Sequence, residues 1–485
     1  MYRNKGTITV FLSLISMLFL SLFCTMAESV RVQAARFQAA AAFDMGLFSI
    51  FGEYDRVLLE EYDLWFLDGS SEEQKIREVL ETKLEKYIQP NINPRYNLAA
   101  GRSWDVFPTE LDRCTVDKYA LATDHGGQVF YSQAVENQKE LFVGEAASAL
   151  KKNIKQMEEG HQKGEEYQNE EQKADEEYQR AQAAQMEEKK RQESEKENAE
   201  KQEESDTDIK ETEAVQAKVE NPLDQIKKIK SMGILGLVLK DGTVVSDKTI
   251  ERKNLPSERN LQKGSLLVNE ISADPVSEAI FLNYLQKHFQ CAVDEGGKHQ
   301  KGSKEHSLSY ELEYIIGGQK SDRENLKKTV NRILLIREGM NYATLAKSAK
   351  MRGEAMALAA AITGAAALPE FAGALQKLLM LAWAYGESLL DVRTLLAKGK
   401  VPMLKAETEW KLPLEKLGML AEVLKECDAG GGSGQSYEDY LSGLLILGKK
   451  QQRNLRVLDL IECNRRMEKG GETFRVDALV AQAEA

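Results

Sequence analysis

The chain has 485 residues and a formal net charge of -12, so it is too long for one small domain and too acidic for a general nucleic-acid binder. Only nine prolines interrupt long segments rich in leucine, alanine, glutamate and lysine, which predicts that helix predominates. Five scattered cysteines, Cys24, Cys114, Cys291, Cys427 and Cys463, contain no CxxC pair and give neither a zinc signature nor a dense disulfide framework; a bridge between Cys427 and Cys463 stays open.

Ile8 to Ala27 is an uncharged apolar run of about 20 residues, the length of helix that covers the hydrocarbon of a bilayer. A signal peptide has a shorter apolar core of about 7 to 15 residues, although Thr25-Met26-Ala27 imitates a cleavage site and leaves cleavage before Glu28 as the alternative. Beyond the run, Val30, Ala34, Phe37, Ala41, Met45 and Phe48 recur at steps of three and four, and no breaker stronger than Gly46 precedes Gly69-Ser70-Ser71. The spacing predicts that a membrane helix continues into an amphipathic stalk. Within the span, Thr9, Ser13 and Ser16 form one small polar stripe and Ser21 with Thr25 another. Such stripes either let membrane helices approach closely or bond back to carbonyls of their own helix. Arg3 and Lys5 before the span outweigh Arg31 and Arg36 after it only through the free amine, which favours an N-terminus inside and the bulk of the chain extracytoplasmic.

From Asp55 the chain reads as short helices and loops, with Glu72 to Tyr87 a further helix and Pro90, Pro94 and Pro108 as breakers. Cys114 to Thr123 and Gln128 to Tyr131, separated by His125-Gly126-Gly127, predict a hairpin. A charged tract follows from Lys151 to about Lys218, where Glu176 to Arg180, Glu187 to Arg191 and Glu197 to Lys201 are favourable helical pairs. The register that would bury Ile154 and Met157 in a coiled coil also buries His161, Gly164 and Gln168, so the tract reads as a solvated helix or disordered spacer rather than a zipper.

A second folded unit is expected from Pro222. Ile234 to Leu239 and Thr243 to Val245, around Lys240-Asp241-Gly242, predict another hairpin. Apolar and acidic residues alternate from Tyr310 to Ile316, which predicts a strand with one wet face. Ser321 and Glu324 have capping-box spacing for a helix starting at Asp322. Ala355 to Leu368 and Phe371 to Leu396 are apolar helices, read as buried core because Gln376, Lys377, Glu387 and Asp391 interrupt the longer one. The alternation of Phe474, Val476, Ala478 and Val480 is expected to pair with the strand at Tyr310.

Chemical motifs are sparse. Gly443 to Lys450 has the opening spacing of a phosphate loop, but Lys450 replaces the hydroxyl residue that holds magnesium, and the intervening residues read as a helix interior. His299, Glu305 and His306 lie in a lysine-glycine loop with no fourth metal ligand, and Glu311 with Glu313 could share a strand face as carboxylates on any half-exposed strand do. No catalytic, cofactor-binding or metal-binding residue is assigned.

Three blocks carry a family resemblance. They are KGTITVFLSLISMLFLSLFCTMAESVRVQAARFQAAAAFDMGLFSIFGEYDRVLLEEYDLWFLD from Lys5, YELEYIIGGQKSDRENLKKTVNRILLIREGMNY from Tyr310 and LLMLAWAYGESLLDVRTLLAKGKVPM from Leu378. The chain resembles an uncharacterised family of membrane-anchored proteins from Gram-positive bacteria, found among TadE-like and TadG-like genes of tight-adherence pilus systems. The resemblance implies association with a pilus or secretion apparatus. Pilin precursors are cut after a glycine and carry glutamate at the fifth position beyond; Gly6 fits that glycine, but Phe11 stands in place of the glutamate. The expectation is therefore a non-enzymatic minor or assembly subunit without cofactors. Its partners would be membrane lipid and other apparatus subunits, met through the span and stalk, with no nucleic acid. The alternative is a membrane-tethered sensor or cell-wall scaffold whose charged spacer sets its reach.

The expected fold is α+β and mostly helical, with small antiparallel sheet elements. Its expected parts are a cytoplasmic tail (1–7), a transmembrane helix (8–27), a stalk and first extracytoplasmic unit (28–150), the charged spacer (151–221) and a second helix-rich unit (222–485).

Overall fold

A computed structural model describes residues 5–70, 75–92, 96–97, 103–104, 110–139, 144–200, 221–266, 274–293, 305–365, 371–427, 431–468 and 474–484. Helix dominates these residues, as the composition predicts, beside a three-stranded and a two-stranded antiparallel sheet. Two compact units are interleaved along the chain rather than consecutive: one takes Met1–Asn137, Glu258–Ile271 and Glu468–Ala485, the other Gln138–Ser257 and Ser272–Met467. The expected boundaries at 151 and 222 fall inside the second of these.

In the first unit, α1 (Lys5–Phe51) is continuous for 47 residues. At 1.5 Å per residue it is about 70 Å long, more than twice the hydrocarbon thickness of a bilayer. The short α2 (Arg56–Tyr62) begins at Asp55, whose carboxylate accepts the N–H groups of Val57 and Leu58. Then come β1 (Leu67–Asp68), α3 (Ile76–Ile92), the paired β2 (Tyr96–Asn97) and β3 (Ser103–Trp104), β4 (Lys118–Leu121) and α4 (Asp124–Lys139). The last strand, β5 (Leu479–Glu484), lies between β1 and β4 and is antiparallel to both, with Val480 opposite both Leu67 and Leu121. Ile76, Leu80, Leu84, Ile88 and Ile92 repeat every fourth residue on α3 and form the core with Ile50, Leu67, Val116, Leu121 and Val480. Each such side chain contributes about 2 kcal/mol by leaving water.

Two expectations change here. His125, Gly126 and Gly127 all adopt left-handed backbone and make the predicted turn, but the segment after it is the helix of α4 rather than a second strand. Val129, Phe130 and Tyr131 are buried in succession, as in a helix sealed on a wide face. The terminal alternation closes this sheet through β5 and does not meet Tyr310.

The second unit starts with α5 (Gly144–Glu200), followed by α6 (Pro222–Ser231), α7 (Ile234–Val238), α8 (Pro275–His288), α9 (Glu311–Gly317) and α10 (Asp322–Lys347). It continues with α11 (Ala349–Ala365), α12 (Ala372–Leu396), α13 (Leu420–Glu426), α14 (Tyr437–Leu447) and α15 (Lys450–Glu468). Caps fix several starts: Asn221 and Asp274 precede a proline in the first helical turn, Ser321 accepts from the Glu324 N–H as its spacing predicts, and Ser436 with Asp439 forms a reciprocal box. α10 and α12 pack together, and α12 is buried along most of its length, which places it in a protein core as expected.

The charged tract is not a free spacer over its described N-terminal part. Met157, Tyr167 and Ala174 of α5 are buried, Tyr167 donates its hydroxyl to the Leu381 carbonyl at 3.0 Å, and α5 packs against α10. At that crossing a Cβ on Gly160 would come within 2.7 Å of Ile336 Cγ2, one on Gly164 within 2.7 Å of the Leu335 carbonyl oxygen, and one on Gly339 would strike the Gly164 backbone. Glycines that argue against a zipper seam are what lets these two helices approach. Glu176 and Arg180 form their expected pair at 3.4 Å, while the tract beyond 200 and the side chain of Glu197 lie outside the described residues.

Both remaining strand expectations in this unit are corrected. Ile234 to Val238 is helical, so no hairpin forms at Lys240-Asp241-Gly242, although Thr243 N–H does close a turn onto the Lys240 carbonyl. Glu311 to Gly317 is a helix buried at every residue. The alternating acids face no solvent: Glu311 and Glu313 are buried carboxylates with protein partners.

Candidate functional site

The residues singled out on α1 occupy three settings. Thr9, Ser13 and Thr25 donate to the carbonyls of Gly6, Val10 and Leu22 at 2.9, 2.8 and 2.8 Å, the hydroxyl pattern of a helix bonding back to itself. Ser16 and Ser21 are exposed on the same apolar segment. Among the described residues α1 alone is long and apolar enough to cross a membrane, and its apolar window is wholly unburied by protein. Just beyond it Glu28 and Arg31 form an exposed pair at 3.4 Å, the first charges after the span.

Further out, α1 has two apolar faces. Ala39, Ala42, Phe43, Leu47 and Ile50 pack into the first unit's core, and α1 crosses α3 at Gly46, where a Cβ would stand 2.6 Å from Ile88 Cγ1. Gly46 is thus a packing requirement rather than a weak point in a stalk. The predicted stalk face is the other one. Val30, Phe37, Met45 and Phe48 are 65, 78, 54 and 86% exposed, Ala41 is exposed and Ala34 half-buried, so the four large side chains of this row are open to solvent. The period-four pattern marks the exposed row and not the face buried on α3, because alanines and a glycine make up much of the buried face.

At about 100° per residue, the mean direction of Thr9, Ser13 and Ser16 lies roughly 50° from that of the stalk row. Ser21 and Thr25 point to the opposite side, in line with the face that packs on α3. On an ideal helix one of the two hydroxyl-bearing stripes, Thr9, Ser13 and Ser16, thus points within about 50° of the exposed row. Removing the four large apolar side chains of this row from water is worth roughly 1.5 to 3 kcal/mol each.

The sequence reading treats Glu387 and Asp391 only as interruptions of an apolar helix; the structure makes them the centre of a buried ionic cluster in the second unit. Arg337 donates Nε and Nη2 to Asp391 Oδ2 at 3.0 and 2.8 Å, and Nη1 to the Pro402 and Met403 carbonyls at 2.9 and 2.8 Å. Lys405 bridges Glu387 and Asp391, and Glu387 also accepts the Lys411 and Leu412 N–H groups at 3.0 and 2.8 Å. Burial pushes both carboxyls up; Arg337 and Lys405 outweigh it at Asp391 and hold that carboxyl low, while Glu387 stays raised. The cluster pins the 402–412 segment onto α10 and α12. Its groups face one another, so it is an architectural lock.

The other acids considered for chemistry are separated in the same way. Glu311 accepts the Gln290 N–H at 2.9 Å and meets His306 Nδ1 at 2.8 Å, whereas Glu313 accepts the Ala292 N–H at 2.8 Å and the Tyr437 hydroxyl at 2.9 Å. Burial pushes Glu313 up to about 7. His299 lies outside the described residues, and among those described no three His, Cys, Asp or Glu side chains gather as a metal site would require. Cys427 and Cys463 are both free thiols.

Residues 212–485 match the model of DUF5702, a family of unknown function. No curated protein and no solved structure matches the chain.

Proposed function

The chain belongs to DUF5702, a family of unknown function, and we propose that it acts as a membrane-anchored, non-enzymatic component of an extracytoplasmic assembly, docking through α1 onto a partner helix. The observation that carries this reading is the exposed row Val30, Phe37, Met45 and Phe48, on a helix whose opposite face is already used by its own core. A row that follows the same side as Thr9, Ser13 and Ser16 suits a partner built alike, with a membrane helix that runs on into an extracytoplasmic stalk. Helix-in-groove recognition through aromatic and aliphatic anchors at steps of three and four is a recurrent mode of such docking.

The resemblance of the Lys5–Asp68, Tyr310–Tyr342 and Leu378–Met403 blocks to proteins of Gram-positive tight-adherence systems supports a Tad-like pilus or secretion apparatus as the setting. Phe11, in place of the pilin glutamate, supports an uncleaved or minor subunit rather than a polymerising pilin. A slight positive-inside bias supports an N-terminus inside and the folded units outside. The sensor or scaffold alternative has less support, because its spacer is packed into the second unit over much of its described length.

The test is photo-crosslinking in intact membranes from benzoylphenylalanine placed at Phe37, at Phe48 and, as a control off the row, at Arg36. The reading expects a discrete adduct from the first two positions with a protein that itself carries an N-terminal apolar helix, and none from Arg36. Adducts with lipid alone, or equal adducts from Arg36, would overturn it.

A further inference from the structure

The second unit holds a cleft of about 410 Å³ in which cations outnumber acids. Clefts for small ligands run roughly from 300 to 1,000 Å³. Lys328 and Arg332 line it from α10, Arg453 and Arg456 from α15, and Lys449 from the turn between α14 and α15, over an apolar floor that includes Ile315, Ile316 and Leu444. Among the described residues no carboxylate pairs with Lys328, Arg332, Lys449 or Arg456; Glu278 pairs with Arg453 at 2.7 Å and with Lys450 at 3.1 Å. Three of these cations meet instead at the end of α9, where Lys328 Nζ donates to the Gly317 carbonyl at 2.9 Å, Arg332 Nη1 to that of Ile316 at 3.4 Å, and Arg456 Nη1 to those of Ile315 and Ile316 at 2.8 and 2.9 Å. Neutral carbonyls leave the charge uncompensated. Burial and the neighbouring Arg332, Arg456 and Arg252 accordingly depress the Lys328 ammonium below its ordinary range.

Arg453, only 3% exposed, is already held by Glu278 and by the Phe281 ring, 4.9 Å from its guanidinium, so it forms part of the cleft wall, and the exposed cations Arg332 and Lys449 face the open space. The 19-residue α15 also opens into this cleft with no acidic residue in its first turn, and Lys449, Lys450 and Arg453 crowd the helix end where the backbone dipole repels cations. The first N–H groups of a helix have no intrahelical acceptor, and with Arg332 and Lys449 lining the same cleft they make the donor set that tetrahedral oxyanions select.

We propose that this cleft binds a phosphate-bearing ligand, its anionic oxygens held at the start of α15 by Arg332 and Lys449. The apolar floor accommodates the carbon skeleton of an ester. The phosphate-loop-like spacing of Gly443 to Lys450 ends at this point, but Gly443 lies inside α14, packed on Met157, so the anion meets a helix start and not a looped cradle. The proposal is independent of what docks on α1.

Calorimetry on the full chain in detergent micelles tests it, with pyrophosphate, orthophosphate and glycerol 1-phosphate as probes at constant ionic strength. Saturable binding is expected, weakened about 10-fold or more by the double variant Arg332→Gln/Lys449→Gln, whose side chains are exposed so that the fold is kept. Lys350→Gln, which alters an exposed cation of α11 outside the lining, should change affinity less than about 2-fold. Tighter binding of glycerol 1-phosphate than of orthophosphate assigns an esterified ligand, and the reverse order a free anion; either supports the site. Absence of saturable binding, equal weakening by Lys350→Gln, or displacement of pyrophosphate by a glutamate decapeptide at lower concentration than by orthophosphate would overturn it.

Discussion

Arg337 shows how much one buried residue can decide. Its guanidinium joins Asp391 on α12 to the carbonyls of Pro402 and Met403 and to Asn341, with no exposure to solvent. Removing one partner of such a pair strands the other charge away from water, so Asp391→Asn or Arg337→Met should destabilise the second unit by about 3 to 5 kcal/mol in urea unfolding. Glu313 makes a pH-dependent prediction. Burial raises it to about 7 against the hydrogen bonds from Ala292 and Tyr437, so between roughly pH 4.5 and 7 the folded chain keeps a proton that the unfolded chain releases. Its contribution is fully present below the unfolded value and is lost as pH rises through 7. Glu313→Gln should therefore remove part of the stability lost over that window, up to about 3 kcal/mol, as read by thermal unfolding at pH 5 and pH 8.

Among the elements, α5 differs most from its expectation. Its charge density and its glycines argue against a seam, but helix contacts need close approach as well as apolar side chains, and Gly164 with Gly339 supplies the approach. Gly164→Val would drive a branched side chain into the Leu335 carbonyl. It should destabilise the second unit by several kcal/mol and expose Tyr167 to iodide quenching, whereas Gly353→Ala, where a Cβ meets nothing, should be neutral or slightly stabilising. A parallel argument holds for α1, where Gly46→Leu should loosen the contact with Ile88 and lower the melting temperature of the first unit. The seven residues of α9 fail as a strand for another reason. Alternation detects a wet face only when polar side chains are solvated, and here Glu311 and Glu313 are sequestered by backbone N–H groups, His306 and Tyr437.

For the whole molecule, the proposed docking through the apolar row on α1 should be separable from folding. Phe37→Glu with Phe48→Glu changes side chains that are 78 and 86% exposed, so unfolding should shift by less than about 0.5 kcal/mol, while the adducts expected from the proposed partner should be lost. The buried acids set a pH profile for the second unit. Glu313 at about 7, Glu338 at about 8 and Asp459 at about 6, all raised first by burial, favour the folded state less as pH rises. Asp391, held low by Arg337 and Lys405 against burial, removes stability as pH falls through its lowered value. Asp391 is ionised down to below the ordinary range and the raised acids begin to lose stability from their unfolded values upward, so maximum stability of this unit is expected at or below about pH 4, with scanning calorimetry between pH 3 and 9 as the measurement.

Composition and periodicity determine the helical bias, the apolar span, the capped start at Ser321 and the exposed row on α1, because each depends on neighbours within a few residues. Tertiary structure decides the partners of each face: β5 joins β1 and β4 from the far end of the chain, α5 becomes part of a core, Glu387 and Asp391 become a lock, and the cations of α10 and α15 meet around one cleft. These depend on burial and on charges brought together from distant segments, and a buried, partnered acid has the same letter as a solvated one.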